Sequence, residues 1–227
     1  MPVVIGGIAV AEIAKVFLEN FKQFDFAFWG EDEIHYELLT RFLSNNNNLF
    51  EFNVGRVFYR ENDKIMTSPD NKHFFLDLSE SKLFPDFSDY FEYRNLSKTV
   101  VSVDYLLMEG SRGCHWNRCH FCYLNKGCKF RQKNIEKISE EIEKMISTYG
   151  IFNFKFIEND IVGKDMDRFH FLLDELIKIK SKYSDFTIIG AEIITHGLSY
   201  STIKKMKEAG IVLIQIGFES ACNRNEI

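Results

Sequence analysis

The chain has 227 residues, of which 45% are hydrophobic and 27% charged, so it carries enough apolar material for one or two packed cores. Its 28 lysines and arginines against 33 aspartates and glutamates give a net charge of −5, which excludes a general attraction to nucleic acids or anionic membranes. The sequence shows neither a run of about 20 apolar residues nor a basic leader with a cleavage site. We therefore expect a cytoplasmic protein with no membrane or nucleic-acid partner.

Residues 1–68 predict part of an α/β domain in which strands and helices alternate. The predicted elements are a strand over 2–8, a helix over 10–21, a strand over 24–29 and a helix over 35–43. This alternation favours a small parallel sheet, whose first strand ends at Gly6 and Gly7. Alternating segments over 49–59 and 64–67, separated by polar residues, then predict a hairpin.

A linker and a second unit follow in the sequence. Residues 69–99 are rich in aromatic residues and have no clear period, so an irregular linker is expected around Pro85. Over 100–227 the predicted elements are strands at 105–109, 153–157, 186–193 and 212–217 and helices at 135–149, 166–182 and 201–209. Repeated strand-helix units indicate a parallel barrel or a doubly wound sheet, with sites at the carboxyl ends of the strands. Because four strands leave a barrel incomplete, we expect a chain truncated at both ends.

Three cysteines lie close together, just after the first strand of this second unit. Cys114, Cys119 and Cys122 have the spacing C-x4-C-x2-C. Three thiolates on one short loop can hold a 4Fe-4S cluster and leave one iron without a protein ligand. An open iron can chelate the amino and carboxylate groups of a substrate, as a catalytic metal site requires. The clustering of these cysteines argues against a secreted disulfide protein.

Other interpretations of the cysteines remain open. A structural zinc ion would need a fourth ligand, which Cys128, His115 or His120 could supply. A plant-type 2Fe-2S site would need a distant fourth cysteine such as Cys222. Core cysteines without any metal are the third alternative. The position of the loop on the first strand of a strand-helix series favours the 4Fe-4S interpretation.

The sequence resembles the cobalamin-binding group of the radical S-adenosylmethionine (SAM) superfamily, in particular the members that mature ribosomally made peptides. The matching segments are Gly6-Gly7, 29–33, 74–90, 109–114, 121–122, 130–131 and 217–220. The resemblance implies a partial radical SAM barrel preceded by part of a cobalamin-binding Rossmann-like domain. Three departures stand out. One extra residue lies between the first two cysteines, and the aspartate-histidine-glycine motif that supplies a cobalt ligand in many cobalamin domains has no counterpart. The third is that four barrel strands are predicted where the family normally has six.

The resemblance implies roles for particular residues. Cys114, Cys119 and Cys122 would bind the cluster, SAM would chelate the open iron, and SAM cleavage would give a 5′-deoxyadenosyl radical that abstracts hydrogen. The other implied cofactor contacts are Phe121, Glu158, Asp160, Glu192, Glu219 and Ser220 for SAM, and Gly6 and Gly7 for cobalamin. The plainer alternatives are a core position for Phe121, a helix cap for Asp160 and a solvated loop acid at Glu192.

The resemblance also implies a reaction and partners. The expected function is methylation or cyclisation of a peptide or another biosynthetic small-molecule substrate, with cobalamin as a further cofactor of a methylating enzyme. An electron donor such as flavodoxin or ferredoxin is the expected protein partner. The alternatives are a non-catalytic zinc or iron-sulfur module and an inactive fragment.

Overall fold

The computed structural model describes residues 3–7, 13–28, 31, 57–68, 75–79, 84–96, 105–122, 129–194 and 197–217. The chain divides into two compact units, Met1–Leu76 and Asp77–Ile227. The helix predicted over 35–43 lies outside the described residues. Within the described residues, no helix has the length and apolar character needed to cross a membrane.

The first unit contains a mixed four-stranded sheet. Its elements are β1 (Val4–Ile5), α1 (Ala14–Asn20), β2 (Phe26–Phe28), β3 (Val57–Glu61) and β4 (Lys64–Thr67), with strand order β1-β2-β3-β4. β1 and β2 run parallel, but β3 and β4 are antiparallel to their neighbours, so the expected parallel sheet is correct for the first two strands only. The hairpin of β3 and β4 is confirmed. Asn62 and Asp63 at its turn have φ of 47° and 61°, the positive values that a tight two-residue hairpin turn requires.

The second unit contains a parallel sheet and a short antiparallel pair. Its strands are β5 (Leu106–Met108), β6 (Ser111–Arg112), β7 (Arg131–Gln132), β8 (Asn153–Phe156), β9 (Thr187–Ile193) and β10 (Ile214–Ile216). Its helices are α2 (Ser88–Leu96), α3 (Ile135–Tyr149), α4 (Met166–Lys182) and α5 (Tyr200–Glu208). β10, β9, β8 and β5 form the parallel sheet in that order, and β6 pairs with β7. The predicted α/β fold with a partial parallel barrel sheet is confirmed.

Helices α3 and α4 begin and end where the sequence predicted them. The side chain of Asn134 caps α3 by accepting a hydrogen bond from the N–H of Glu136 at 3.0 Å, and Asp165 caps α4 in the same way. The buried side chains of both helices share one core with Phe154 and Phe156 of β8. This packing holds the parallel strands in register, so their carboxyl ends meet at one edge.

Helix α2 lies in the predicted linker, so the expectation of irregular structure is wrong over Ser88–Leu96. None of its residues is fully buried, which explains why its sequence has no apolar period. The helix is held through Phe91, whose ring stacks on Tyr149 of α3 with centroids 4.7 Å apart. A segment that contacts the core through single aromatic side chains gives little signal in a sequence.

Candidate functional site

A short antiparallel pair closes the cysteine loop at its base. β6 and β7 pair with each other, and the N–H of Lys133, just after β7, donates to the carbonyl oxygen of Gly110 at 2.8 Å. The segment 113–130, called the cysteine loop below, connects the two strands in sequence, and the structure describes its residues 113–122 and 129–130. Because β5 ends at Met108, the loop leaves the carboxyl edge of the parallel sheet, as the sequence predicted.

The turn into the loop requires glycine. Gly113 has φ of +79°, a left-handed conformation that other residues rarely adopt. A Cβ at this position would lie 2.9 Å from the carbonyl oxygen of Lys129, which is backbone and cannot easily move aside. The two ends of the loop therefore approach each other closely at this point.

Cys114, Cys119 and Cys122 form no disulfide, and each side chain is partly exposed. The N–H of Cys122 donates to the carbonyl oxygen of Cys119 at 3.0 Å, which folds that end of the loop into a turn. Within the described ranges, no three histidine, cysteine or acidic side chains converge on one metal position. Three cysteine thiols suit a cluster, in which each cysteine binds a different iron. Cys128 lies outside the described residues.

Glu158 is buried beside the base of the loop. It follows β8, and its Oε2 accepts a hydrogen bond from the N–H of Gly110 at 3.2 Å. A Cβ at position 110 would lie 2.5 Å from Oε1, so the carboxyl group occupies space that only a glycine leaves open. Burial raises the pKa of Glu158 to about 7, while the Gly110 N–H and the charge of Arg168 oppose the rise. Glu158 is therefore protonated in a large share of molecules at neutral pH.

Asp160 connects two strand ends to the cysteine loop. Its carboxylate accepts hydrogen bonds from the N–H groups of Val162, Gly163 and Ile194 at 3.1 to 3.2 Å. Its Oδ2 also lies 3.2 Å from Nδ1 of His115, next to the first cysteine of the loop. Burial raises the pKa of Asp160, and the backbone donors and His115 oppose that rise. The proposed cap of α4 is a different residue, Asp165.

The parallel sheet, the cysteine loop and the acids at the strand ends lie in the part of the chain that matches a family model. The model of the radical SAM superfamily matches residues 108–226, more than half of the 227 residues. The chain belongs to the radical SAM superfamily.

Individual relatives of this radical SAM chain are known from sequence and structure. An uncharacterized methyltransferase of Pyrococcus horikoshii is 25% identical over 232 residues, which cover 98% of this chain and 46% of that protein. The methyltransferase TsrM of Kitasatospora setae, solved with cobalamin and a 4Fe-4S cluster, gives a TM-score of 0.69 at 16% identity, over 96% of this chain and 41% of that chain. The cobalamin-dependent radical SAM enzyme OxsB gives 0.67 at 18% identity, over 98% of this chain and 31% of that chain.

The matches cover only part of the length of each relative. The radical SAM chain spans about half the length of the curated relative and less than half of the two solved proteins. At these identities, the solved structures establish a shared fold. A second structure of TsrM contains tryptophan as substrate and a SAM analogue.

Two predicted SAM contacts lie on the surface of this radical SAM unit. Phe121 exposes 72% of its surface next to Cys122, so it is not a core phenylalanine. Glu192 lies near the end of β9 with an exposed side chain, and its carbonyl oxygen accepts a hydrogen bond from the N–H of Ile161 at 2.9 Å. Both are open to a ligand, whereas Glu158 and Asp160 are enclosed by protein.

The remaining predicted contacts are separate from this group. Glu219 and Ser220 lie outside the described residues. Gly6 and Gly7 follow β1 in the first unit, where Gly7 has φ of +101° and open space around its Cα. Their predicted contact with cobalamin stays a prediction.

A buried ion pair near the loop was not predicted. The Lys133 ammonium donates to Oε2 of Glu141 at 2.7 Å, and both residues are buried. The guanidinium of Arg168 donates to the carbonyl oxygen of Lys133. The sequence held one signal of this pair, because Glu141 interrupts the apolar face that Ile138, Ile142 and Met145 form on α3.

Proposed function

We propose that this chain is the core of a radical SAM enzyme that binds a 4Fe-4S cluster through Cys114, Cys119 and Cys122. The observation that carries the proposal is the segment 113–122, which presents three cysteines without disulfides at the carboxyl edge of a parallel sheet. When bound, the cluster supplies the electron that splits SAM into methionine and a 5′-deoxyadenosyl radical. Membership of the superfamily supports this chemistry.

In this proposal some residues contact SAM directly and others support the SAM site indirectly. Phe121 is assigned to the adenine of SAM because its ring is exposed beside Cys122. Glu192 is assigned to the SAM ammonium because its carboxylate is exposed at the same sheet edge. Glu158 and Asp160 support the site indirectly, since their oxygens already accept backbone N–H groups. Glu219 and Ser220 complete the SAM site by resemblance.

The proposed reaction is methyl transfer, with cobalamin as the methyl carrier and a peptide or another biosynthetic compound as substrate. The names of the relatives support methyl transfer, because the curated match and TsrM are both called methyltransferases. Cyclisation of the same class of substrate is the alternative, favoured by the missing histidine motif for cobalt. A flavodoxin or ferredoxin would supply the electron, in a reducing cytoplasm that keeps cysteine thiols available for a cluster.

Anaerobic reconstitution tests the proposed function. The chain should turn brown, hold about four irons, and change the electron paramagnetic resonance spectrum of its reduced cluster when SAM is added. Replacing any of Cys114, Cys119 or Cys122 by alanine should abolish iron uptake and SAM cleavage, whereas the control Cys222→Ala should retain both. A colourless protein that binds one zinc ion tightly would overturn the proposal.

A further inference from the structure

One histidine of the cysteine loop points back into the protein. His115 follows Cys114 directly, and only 17% of its side chain is exposed. Its ring meets the ring of Phe130, at the other end of the loop, edge-on with centroids 5.8 Å apart. His120, in contrast, is exposed between the second and third cysteines. The two histidines of the loop therefore occupy different environments.

The imidazole of His115 faces a carboxylate that is firmly fixed. Nδ1 of His115 lies 3.2 Å from Oδ2 of Asp160, within ion-pair distance, although the contact lacks hydrogen-bond geometry. The side chain of Asp160 is only 3% exposed and accepts three backbone N–H groups. Two of these belong to the turn after β8 and one to Ile194 after β9. A group that contacts Asp160 is thereby joined to the ends of two core strands.

This contact lies next to the first cysteine of the loop. The pairing of β6 and β7 fixes the base of the loop, and a segment that joins two paired strands loses conformational freedom when it organises around a ligand. An interaction beside the first cysteine reduces that loss before a ligand arrives. In metal sites, the partners that orient the ligands affect affinity strongly.

We propose that His115 and Asp160 form a latch that positions Cys114 at the carboxyl edge of the sheet, so that the cysteine loop is organised before its cluster assembles. His115 is in this view a positioning residue, which acts on Cys114 through its contact with Asp160. The function of the latch rests on the proposed iron-sulfur cluster, but its contact is a property of the metal-free chain.

Four variants of the full chain, purified anaerobically, test the latch. His115→Phe keeps an aromatic ring and removes Nδ1. His115→Asn keeps a polar N–H near the position of Nδ1, whereas His115→Gln places its amide farther out, near the position of Nε2. The exposed His120 provides the matched control, His120→Phe.

The first measurement is the rate at which a ferrous chelator removes iron from the reconstituted protein. We expect His115→Phe and His115→Gln to lose iron about fivefold faster than wild type, the factor expected from one typical polar contact. His115→Asn and His120→Phe should stay within about twofold of wild type. A purely steric role of the ring would instead leave His115→Phe unchanged and speed iron loss equally in His115→Asn and His115→Gln, and that result would overturn the latch.

The second measurement needs no metal. Hydrogen exchange of the metal-free chain should be faster over residues 114–122 in His115→Phe and His115→Gln, and unchanged in the other two variants. Equal exchange in His115→Phe and His120→Phe contradicts the latch. If His115→Phe does not fold, the comparison of the asparagine and glutamine variants decides, and equal rates contradict the latch. If wild type takes up no cluster, the proposed function fails, and exchange in the metal-free chain alone decides on the latch.

Discussion

Glu158 combines deep burial with hydrogen bonds from two backbone N–H groups, its own and that of Gly110. Its pKa is raised to about 7, whereas a glutamate in an unfolded chain titrates near 4.5. Below pH 4.5 the Glu158 carboxyl group is protonated in both the folded and the unfolded chain. Between pH 4.5 and about 7 only the unfolded chain loses the proton. Its contribution to the free energy of unfolding is thus fully present below about pH 4.5 and falls by up to about 1.4 kcal/mol per pH unit until about pH 7.

We predict that Glu158→Gln removes this dependence on pH. The amide oxygen can still accept the Gly110 N–H, but it carries no charge at any pH. Relative to the variant, wild type should lose roughly 3 kcal/mol of stability between pH 4.5 and 7. Urea unfolding of the metal-free protein at half-unit steps of pH measures this, with Glu140→Gln as an exposed control. Parallel stability curves for wild type and Glu158→Gln would contradict the assignment.

β6 and β7 pair to form a two-stranded stem that closes the base of the cysteine loop. Gly113 combines a positive φ with a close approach to the backbone of Lys129, whereas Gly150, the C-cap of α3, has φ of +65° and no atom near its missing Cβ. Gly150→Ala should lower the free energy of unfolding by about 1–2 kcal/mol, because alanine is disfavoured in the left-handed conformation. Gly113→Ala should lower the free energy of unfolding by more, because the added methyl group would also clash with the Lys129 carbonyl.

The two glycine variants also separate fold from site. Gly113→Ala should reduce iron uptake and lower the midpoint of thermal unfolding, because it disturbs both the stem and the loop. Gly150→Ala should lower the midpoint and leave iron uptake unchanged, since α3 ends away from the loop in sequence. Equal iron uptake in both variants would show that the stem does not position the cysteines.

Regular elements were the most predictable part of the structure. α3 and α4 combine strong apolar periods with asparagine and aspartate caps, so local sequence alone defines their bounds. α2 was missed because it packs through single aromatic rings and buries no residue fully. The signals for a helix are local, and α2 depends instead on a contact with Tyr149, which is distant in sequence.

At the scale of the whole molecule, the sequence predicted which polar residues meet but not what they do there. The carboxyl ends of parallel strands share an edge, so Glu158, Asp160 and the cysteine loop could be assigned to one region. Their partners could not, because Gly110 and Glu158 are 48 residues apart and His115 and Asp160 are brought together only by the fold. Two acids expected to contact SAM also accept backbone N–H groups, a role that no local pattern records, and their contact with SAM stays a prediction.

Cluster binding should affect the two units of the molecule differently. Cys114, Cys119 and Cys122 all belong to the unit Asp77–Ile227, so a bound cluster adds its binding free energy to the folded state of that unit alone. We expect hydrogen exchange to slow over 105–122 and 129–156 after anaerobic reconstitution and to stay unchanged over 13–28 and 57–68. The triple variant with all three cysteines replaced by alanine, treated in the same way, should show no change in either unit. Equal protection of both units would mean that the cluster stabilises the molecule as one cooperative body.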